Sequence, residues 1–262
     1  MSTKTQYAHA QFEPWRFERY LYQRPMMSAT DTPRSDIEER CILAEQSEWE
    51  LIRDLDGCYD PKRPPAPNES IGRVEITTDI FREWNELFIR NPNYKGDGYC
   101  RNVCYGDLIR DVFKLIDSCP NLTFLASTEW PERAYQLLHD YGKDVRDDRY
   151  DNLYLGTRCS TQDELDRRWK ELAECRDLSP CLYLDLTPTE AIDTFRQSVP
   201  GPLLWGWVLI REPKLNAKQW IQNDWRDWVE SIVSQCQAAS IPVWDDTGVT
   251  GVQELPEQTP HA

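Results

Sequence analysis

From about residue 70 onward, short apolar or β-branched runs alternate with amphipathic stretches. The units recur at roughly 20 to 35 residues, and each amphipathic stretch carries a single apolar stripe. Together these observations predict an α/β fold, a complete or partial TIM-like βα barrel preceded by an irregular N-terminal extension. A strand–helix–strand repeat demands parallel strands, and short crossovers make each unit right-handed. Periodicity defines the units but not their closure, so a doubly wound open sheet is the alternative.

The extension is assigned to residues 1–70. Its periodicity is weak, prolines punctuate it at Pro14, Pro25 and Pro33, and the run Pro61 to Pro67 resists regular structure. Its aromatics (Phe12, Trp15, Phe17, Tyr20, Tyr22) are too many for a plain disordered tail and imply packing onto the main domain or onto a partner. Residues 71–262 form the barrel domain. Strands are expected at Arg73–Thr77, Tyr99–Cys104, Leu122–Ser127, Leu153–Thr157, Cys181–Leu186, Leu203–Ile210 and Ile241–Trp244.

Between the strands, spacings of three and four mark helices. One carries Leu108, Val112, Phe113, Leu115 and Ile116; a second carries Trp130, Ala134, Leu137 and Leu138. A third carries Leu165, Trp169 and Leu172, and the last, around Trp220 to Ala239, carries Ile221, Trp225, Trp228, Val229, Ile232, Val233 and Cys236.

Composition narrows the function. The 262 residues are 40% hydrophobic and 29% charged, enough for a core without disulfide or metal staples. Thirty basic against 45 acidic residues give a net charge of −15, which disfavours direct nucleic-acid binding. No run approaches the roughly 18 apolar residues of a membrane span, and Met1 to Ala10 lacks an apolar signal core, so a soluble cytoplasmic protein is expected.

The nine cysteines are scattered rather than regularly spaced and read as reduced thiols. Cys175 and Cys181 fit neither a CxxC redox pair nor a zinc knuckle. The three histidines (His9, His139, His261) are too few and too dispersed for histidine-based catalysis or a multi-histidine metal site.

In a βα barrel, function gathers where strands end at their C-terminal sides. Asp107, Thr128, Glu129, Arg158, Asp185, Thr187, Arg211, Glu212, Asp245 and Asp246 fall there. Glu129, Arg158, Asp185 and Glu212 are the catalytic candidates, since paired carboxylates serve as acid and base when their environments separate their pKa values. Asp185, Glu212, Asp245 and Asp246 are the metal candidates, a hard oxygen shell suited to Mg²⁺. The ordinary reading of such charges is a set of solvated loop residues that balance one another. Eleven tryptophans, with Trp205, Trp207, Trp220, Trp225 and Trp228 close together, fill a core or anchor a protein partner.

Four segments, in order, carry a resemblance. Thr123-Phe124-Leu125-Ala126-Ser127-Thr128-Glu129-Trp130-Pro131-Glu132-Arg133 resembles TFQVLTKRPER, a strand and turn of a phage and prophage family of radical-SAM-like barrels. Asn152-Leu153-Tyr154-Leu155-Gly156 with Gln162 is similar to its NVWLGVSVENQ strand. Thr187-Pro188 with Ile192-Asp193 is similar to its CEPLLGPID segment. Trp228-Val229, Gln235-Cys236, Ala238-Ala239 and Ile241-Pro242 resemble its closing WVxxLxxQCxAAGVPFF, and Gly251 to Pro256 resembles its DGxxxxEFP tail.

The resemblance covers roughly residues 73 to 257 and implies a barrel whose relatives hold an iron–sulfur cluster on N-terminal cysteines ending in CxxCY. This chain departs from that pattern. Its N-terminal region offers Cys41 and Cys58, too far apart for a clustered triad, and the nearest imitation, Cys100 and Cys104, is followed by Asp107 where a third thiolate belongs. The family's GGES turn is replaced around Ile210-Arg211-Glu212-Pro213-Lys214, its CEP glutamate by Thr187, and its LTKRPER lysine by Glu129.

No cofactor is therefore expected, and a [4Fe-4S]/SAM site on Cys100 and Cys104 is disfavoured. The expected role is a catalytically degenerate barrel that acts as an interaction or accessory protein of a phage or mobile-element system. Its protein partner would be basic, or itself a nucleic-acid-binding protein, meeting the acidic surface. The alternatives are a metal-assisted hydrolase on the carboxylates named above and, last, a retained radical-SAM enzyme.

Overall fold

The computed structural model describes residues 8, 10–23, 35–43, 46–58, 72–82, 89–90, 105–142, 150–195, 206–213 and 225–256. In chain order its strands are β1 (Ala10–Phe12), β2 (Trp15–Gln23), β3 (Ser35–Leu43), β4 (Arg73–Ile76) and β5 (Ile89–Arg90). They continue as β6 (Thr123–Thr128), β7 (Leu153–Cys159), β8 (Leu182–Leu186), β9 (Trp207–Ile210) and β10 (Val243–Asp245). The helices are α1 (Gln46–Cys58), α2 (Tyr105–Ser118), α3 (Pro131–Gly142), α4 (Gln162–Ala173) and α5 (Trp225–Ala238).

Seven strands form one all-parallel sheet in the order β1-β4-β6-β7-β8-β9-β10. Each neighbour is the next strand of that sheet along the chain, which winds it in one direction. A doubly wound sheet would reverse its order at a switch point. The sheet curls into a half-barrel, the partial form of the expected architecture.

The expectation of an irregular N-terminal extension is corrected. Residues 10–12 pair in parallel with β4 as an edge of the main sheet. β2 and β3 form a nine-pair antiparallel ladder to which β5 adds in parallel, and α1 follows. The missed helix carries Trp49, Ile52 and Leu55 three apart, and all three join the core beside α2. Phe12 meets Trp49 edge to face with ring centroids 4.9 Å apart, so β1 and α1 pack on each other.

The expected strand Tyr99–Cys104 lies outside the described residues, as do Pro61–Pro67, Leu203–Trp205 and the stretch from Trp220 to Asp224. The other strands form within one or two residues of expectation where they are described.

Side chains alternate across a strand, so each strand feeds two cores. Val74, Ile76, Phe124, Leu153 and Leu155 face outward with Ile109, Phe113 and Ile116 of α2 in one cluster. Leu184, Leu186, Val208, Ile210 and Val243 do the same with Leu165 and Trp169 of α4 and Val229, Ile232 and Val233 of α5 in a second. Removing a side chain of this size from water contributes roughly 1.5–3 kcal/mol, so these layers hold the sheet.

Polar joints finish the outer layer. Asn152 donates to the carbonyls of Ile116 (2.8 Å) and Cys119 (3.0 Å), which also accept the Cys119 and Leu122 N–H groups, and so ties the start of β7 to the turn after α2. Thr161 caps α4 by accepting from the Glu164 N–H. The concave face holds the third cluster, Leu125, Tyr154, Tyr183, Trp207, Leu209 and Trp244, with Ala8.

After β10 the chain turns back as a strap. Asp245 and Val252 pair through a 2.9 Å backbone bond, as do Glu254 and Val243. The strap then crosses the N-terminal ends of the strands. The Trp207 indole N–H donates to the Glu254 carbonyl (2.9 Å) and the Arg73 guanidinium to the Pro256 carbonyl (2.9 Å). Leu255 packs on the concave cluster, so the strap covers the floor of the half-barrel.

Candidate functional site at the mouth of the half-barrel

One step above the aromatic layer, the concave positions change from apolar to charged. The alternation that turns Tyr183, Leu125 and Leu209 inward turns Asp185, Ser127 and Arg211 inward two residues later, with Glu75 on β4 and Arg158 on β7. Gly156 lets this layering exist. A Cβ there would lie 2.4 Å from the Tyr183 ring, so glycine makes room for the aromatic floor beneath the charges.

The charged groups form one network. Arg211 Nε donates to Asp185 Oδ1 at 2.6 Å, and its terminal nitrogen donates to Glu75 Oε1 at 2.6 Å. Ser127 donates to Asp185 Oδ2 at 2.7 Å, Arg158 donates to Ser127 Oγ at 2.9 Å, and Arg158 Nε stands 3.5 Å from Asp185 Oδ2. Gln11 donates to the second oxygen of Glu75 at 2.8 Å, which brings β1 into the network.

Burial is unequal among these groups. The side chains of Asp185 and Glu75 are 0% and 6% exposed, whereas those of Arg158 and Arg211 are 30% and 24% exposed. Buried carboxylates cost several kcal/mol to desolvate unless paired, and here two guanidinium groups and a hydroxyl provide the pairing. The cations, not the anions, face the solvent.

Among the described residues, Asp79, Glu129 and Trp130 add to the rim. Asp79, in the loop after β4, accepts from the backbone N–H of Glu129 (3.0 Å) and of Phe81 (3.1 Å). Burial pushes its pKa above the ordinary aspartate value, against the pull of those hydrogen bonds and of Arg158. Glu129 turns its carboxylate toward Arg168 of α4, 3.7 Å away, while Arg168 also pairs with Glu164 (3.4 Å) and donates to the Arg158 carbonyl. Trp130, next to Glu129 at the end of β6, is 48% exposed.

The sequence-predicted site residues therefore separate. Arg158, Asp185 and Arg211 come together. Glu129 joins the rim through Arg168, and Glu212 is exposed beyond the end of β9.

Asp245 belongs to the opposite, helix-facing side of the sheet from Asp185, since Val243 faces α5 and Trp244 faces the floor. Its carboxylate is filled by its own loop, accepting from the Thr247 N–H and hydroxyl, the Gly248 N–H, and the Thr250 N–H (2.7 Å) and hydroxyl (2.8 Å). The Asp246 N–H is tied to the Ile210 carbonyl at 2.9 Å. The oxygen shell proposed for a divalent ion from Asp185, Glu212, Asp245 and Asp246 is thus not assembled around Asp185. Among the described residues no group of three or more His, Cys, Asp or Glu side chains is placed to hold a metal ion.

Cys100 and Cys104 lie outside the described residues, and Asp107 is described as a position in α2 but not as a side chain. The described thiols Cys119, Cys159, Cys175 and Cys236 are buried in the outer layer, and Cys181 precedes β8 at the floor end. An iron–sulfur cluster needs thiolates converging on one side, so these five do not fit one.

Glu75, Ser127 and Asp79 are site residues that sequence reasoning missed. A signal existed for the first: Arg73-Val74-Glu75-Ile76 alternates charged and apolar residues in a strand of a parallel sheet, as Leu184-Asp185-Leu186 does.

No protein-family model, curated protein or solved structure matches this chain. The likeness to radical-SAM-like barrels rests on the four sequence segments alone. Those segments map onto β6 with the start of α3, β7, the end of β8 with the segment after it, and α5 with the strap. Among the described residues no helix is long and apolar enough to cross a membrane.

Proposed function

We propose that this chain is a catalytically degenerate radical-SAM-like half-barrel serving as an interaction or accessory protein of a phage or mobile-element system. The observation that carries the reading is the ion-pair network at the mouth. Asp185, the most buried carboxylate there, has both oxygens engaged by Arg211, Ser127 and Arg158, and Glu75 is engaged by Arg211 and Gln11. A general acid or base must be free to take up or release a proton at the reacting atom. Carboxylates fixed between guanidinium groups serve instead to hold a shape. The net charge of −15 favours a basic protein partner, whose association would weaken as salt rises.

Anaerobic reconstitution with iron and sulfide tests the non-catalytic half of this proposal. The expected product is colourless protein without stoichiometric iron or acid-labile sulfide. A stoichiometric cluster that Cys100→Ala abolishes would overturn the reading and restore radical chemistry.

A further inference from the structure

The strap that follows β10 covers an edge as well as the floor. β10 is the last strand of the parallel sheet and pairs in that sheet with β9 alone. We infer that the strap is an autoinhibitory edge guard: it occupies, on β10, the hydrogen-bonding groups through which two copies of this chain would otherwise pair about a two-fold axis. The inference goes beyond the accessory role and does not depend on it.

An edge strand presents a row of N–H and C=O groups, a template for another chain unless something covers it. Along β10 these groups divide by residue. The Pro242 carbonyl accepts from the Val208 N–H (3.1 Å) and the Asp246 N–H donates to the Ile210 carbonyl (2.9 Å), so these two positions, with Trp244 between them, serve β9. Val243 and Asp245 serve the edge. The strap takes one group from each: the Asp245 N–H donates to the Val252 carbonyl and the Glu254 N–H to the Val243 carbonyl, both at 2.9 Å. Gln253 then lies opposite Trp244 in an antiparallel bridge.

The two groups that the strap takes are self-complementary. The Asp245 donor and the Val243 acceptor stand on either side of Trp244, so a two-fold axis through Trp244 brings each Asp245 N–H to the Val243 carbonyl of the other copy. Every group engaged in this way is satisfied on both copies at once, as an isologous contact requires. The paired strands run antiparallel, as β10 and the strap do.

The residues of the strap point to the same occupant. Val252-Gln253-Glu254 repeats Val243-Trp244-Asp245 as valine, a middle residue and an acid. In the hydrogen-bond register Val252 stands where Val243 of a second copy would, and Glu254 where its Asp245 would. Val252 also packs on the helix-facing cluster that holds Val243. A segment tethered six residues beyond the strand meets it at high effective concentration and so prevails over a free copy.

The edge and the floor use different groups of the strap, which lets one be opened without the other. Trp207 reaches the Glu254 carbonyl and Leu255 packs on the concave cluster, whereas the edge takes the Glu254 N–H. Glu254→Pro in the full chain removes that N–H and sets a ring against β10 while keeping the carbonyl and Leu255. It is expected to sediment with twice the mass of the unaltered chain at concentrations where the unaltered chain does not double. Its Asp245 amide is expected to exchange at least about tenfold more slowly when the protein is concentrated about a hundredfold, because the second copy then protects it. In the unaltered chain the strap protects that amide at every concentration.

Glu254→Ala keeps the N–H, and Leu255→Ser uncovers the floor with both edge bonds in place, so both are expected to keep the unaltered mass. Should Glu254→Pro fail to fold, Val252→Gly with Glu254→Gly loosens the strap through backbone entropy and is expected to give the same dimer. An unchanged mass in whichever of these two proteins folds, a dimer whose Asp245 exchange ignores concentration, or equal association by Glu254→Ala or Leu255→Ser would each overturn the inference. The last would leave the strap as a cover for the floor alone.

Discussion

Asp245 and Asp79 show how one residue type takes opposite roles from its surroundings. Burial opposes the Asp245 carboxylate, but the hydroxyl and backbone donors of Thr247 and Thr250 outweigh it and hold its pKa below the ordinary aspartate value. A carboxyl whose pKa is depressed by folding contributes stability above its unfolded value and loses it as pH falls through the folded one. Asp245→Asn presents an NH₂ group to donors that need an acceptor, and is expected to cost about 1–3 kcal/mol at pH 7. Urea denaturation from neutral pH down through the acid range should show that gap narrowing. Asp79 has the reverse sign: its raised pKa means that its charged form is destabilising above the folded value, with relief as pH falls through it toward the unfolded one. Asp79→Asn removes that unfavourable charge but turns an NH₂ group toward one of the two backbone N–H donors, so at neutral pH it should cost less than Asp245→Asn, measured in the same series. Sequence reasoning placed Asp245 at a strand end correctly but could not tell a mouth residue from a loop anchor. Whether it faces the mouth depends on strand parity, which is set only once the sheet's two faces are known.

The strap is the element whose role was least legible, although Gly251 to Pro256 carried part of the resemblance. It contains few apolar residues, and its work is done by backbone carbonyls that Trp207 and Arg73 reach from the two sides of the floor. Ending the chain at Gly251 is expected to lower the urea midpoint and to shift tryptophan emission to the red as Trp207 and Trp244 meet water. An unchanged midpoint and spectrum would show that the floor is sealed without it. The central strands were readable because burial on both faces forces continuous apolar runs such as Trp207–Ile210. β1 was not, being three residues long and held mainly by its register with β4. The β2–β3 ladder hid for another reason: charged and apolar residues share both of its alternating positions, as Arg19 follows Phe17 and Glu39 follows Ile37, which blurs a period of two.

Over the whole molecule, the two outer clusters raise the question of whether the half-barrel unfolds as one body. Cys119 and Cys175 belong to the cluster under α2, whereas Cys159 and Cys236 belong to the one between α4 and α5. All four are buried, and burial pushes the thiols of Cys159, Cys175 and Cys236 up to about 12 and that of Cys119 upward. Since the thiolate is the reactive form, alkylation must wait for opening, and each cysteine reports the opening of its own cluster. The clusters share elements: α4 gives Leu172 to the first and Leu165 and Trp169 to the second, and β8 gives Leu182 to the first and Leu184 and Leu186 to the second. β7 and β8 are joined by five register pairs. Beyond β8, Gln162 of α4 accepts from the Asp193 N–H at 2.7 Å, while Gln235 of α5 accepts from the Thr194 N–H and hydroxyl at 2.8 Å each. An element that belongs to both clusters cannot leave one without stripping the other, so a single cooperative transition is expected. Peptide-resolved alkylation across a urea series should give all four cysteines the same opening free energy and the same dependence on urea. If Cys119 and Cys175 opened at lower urea than Cys159 and Cys236, the half-barrel would be two foldons meeting at β8, and the shared residues of α4 would not be what joins them.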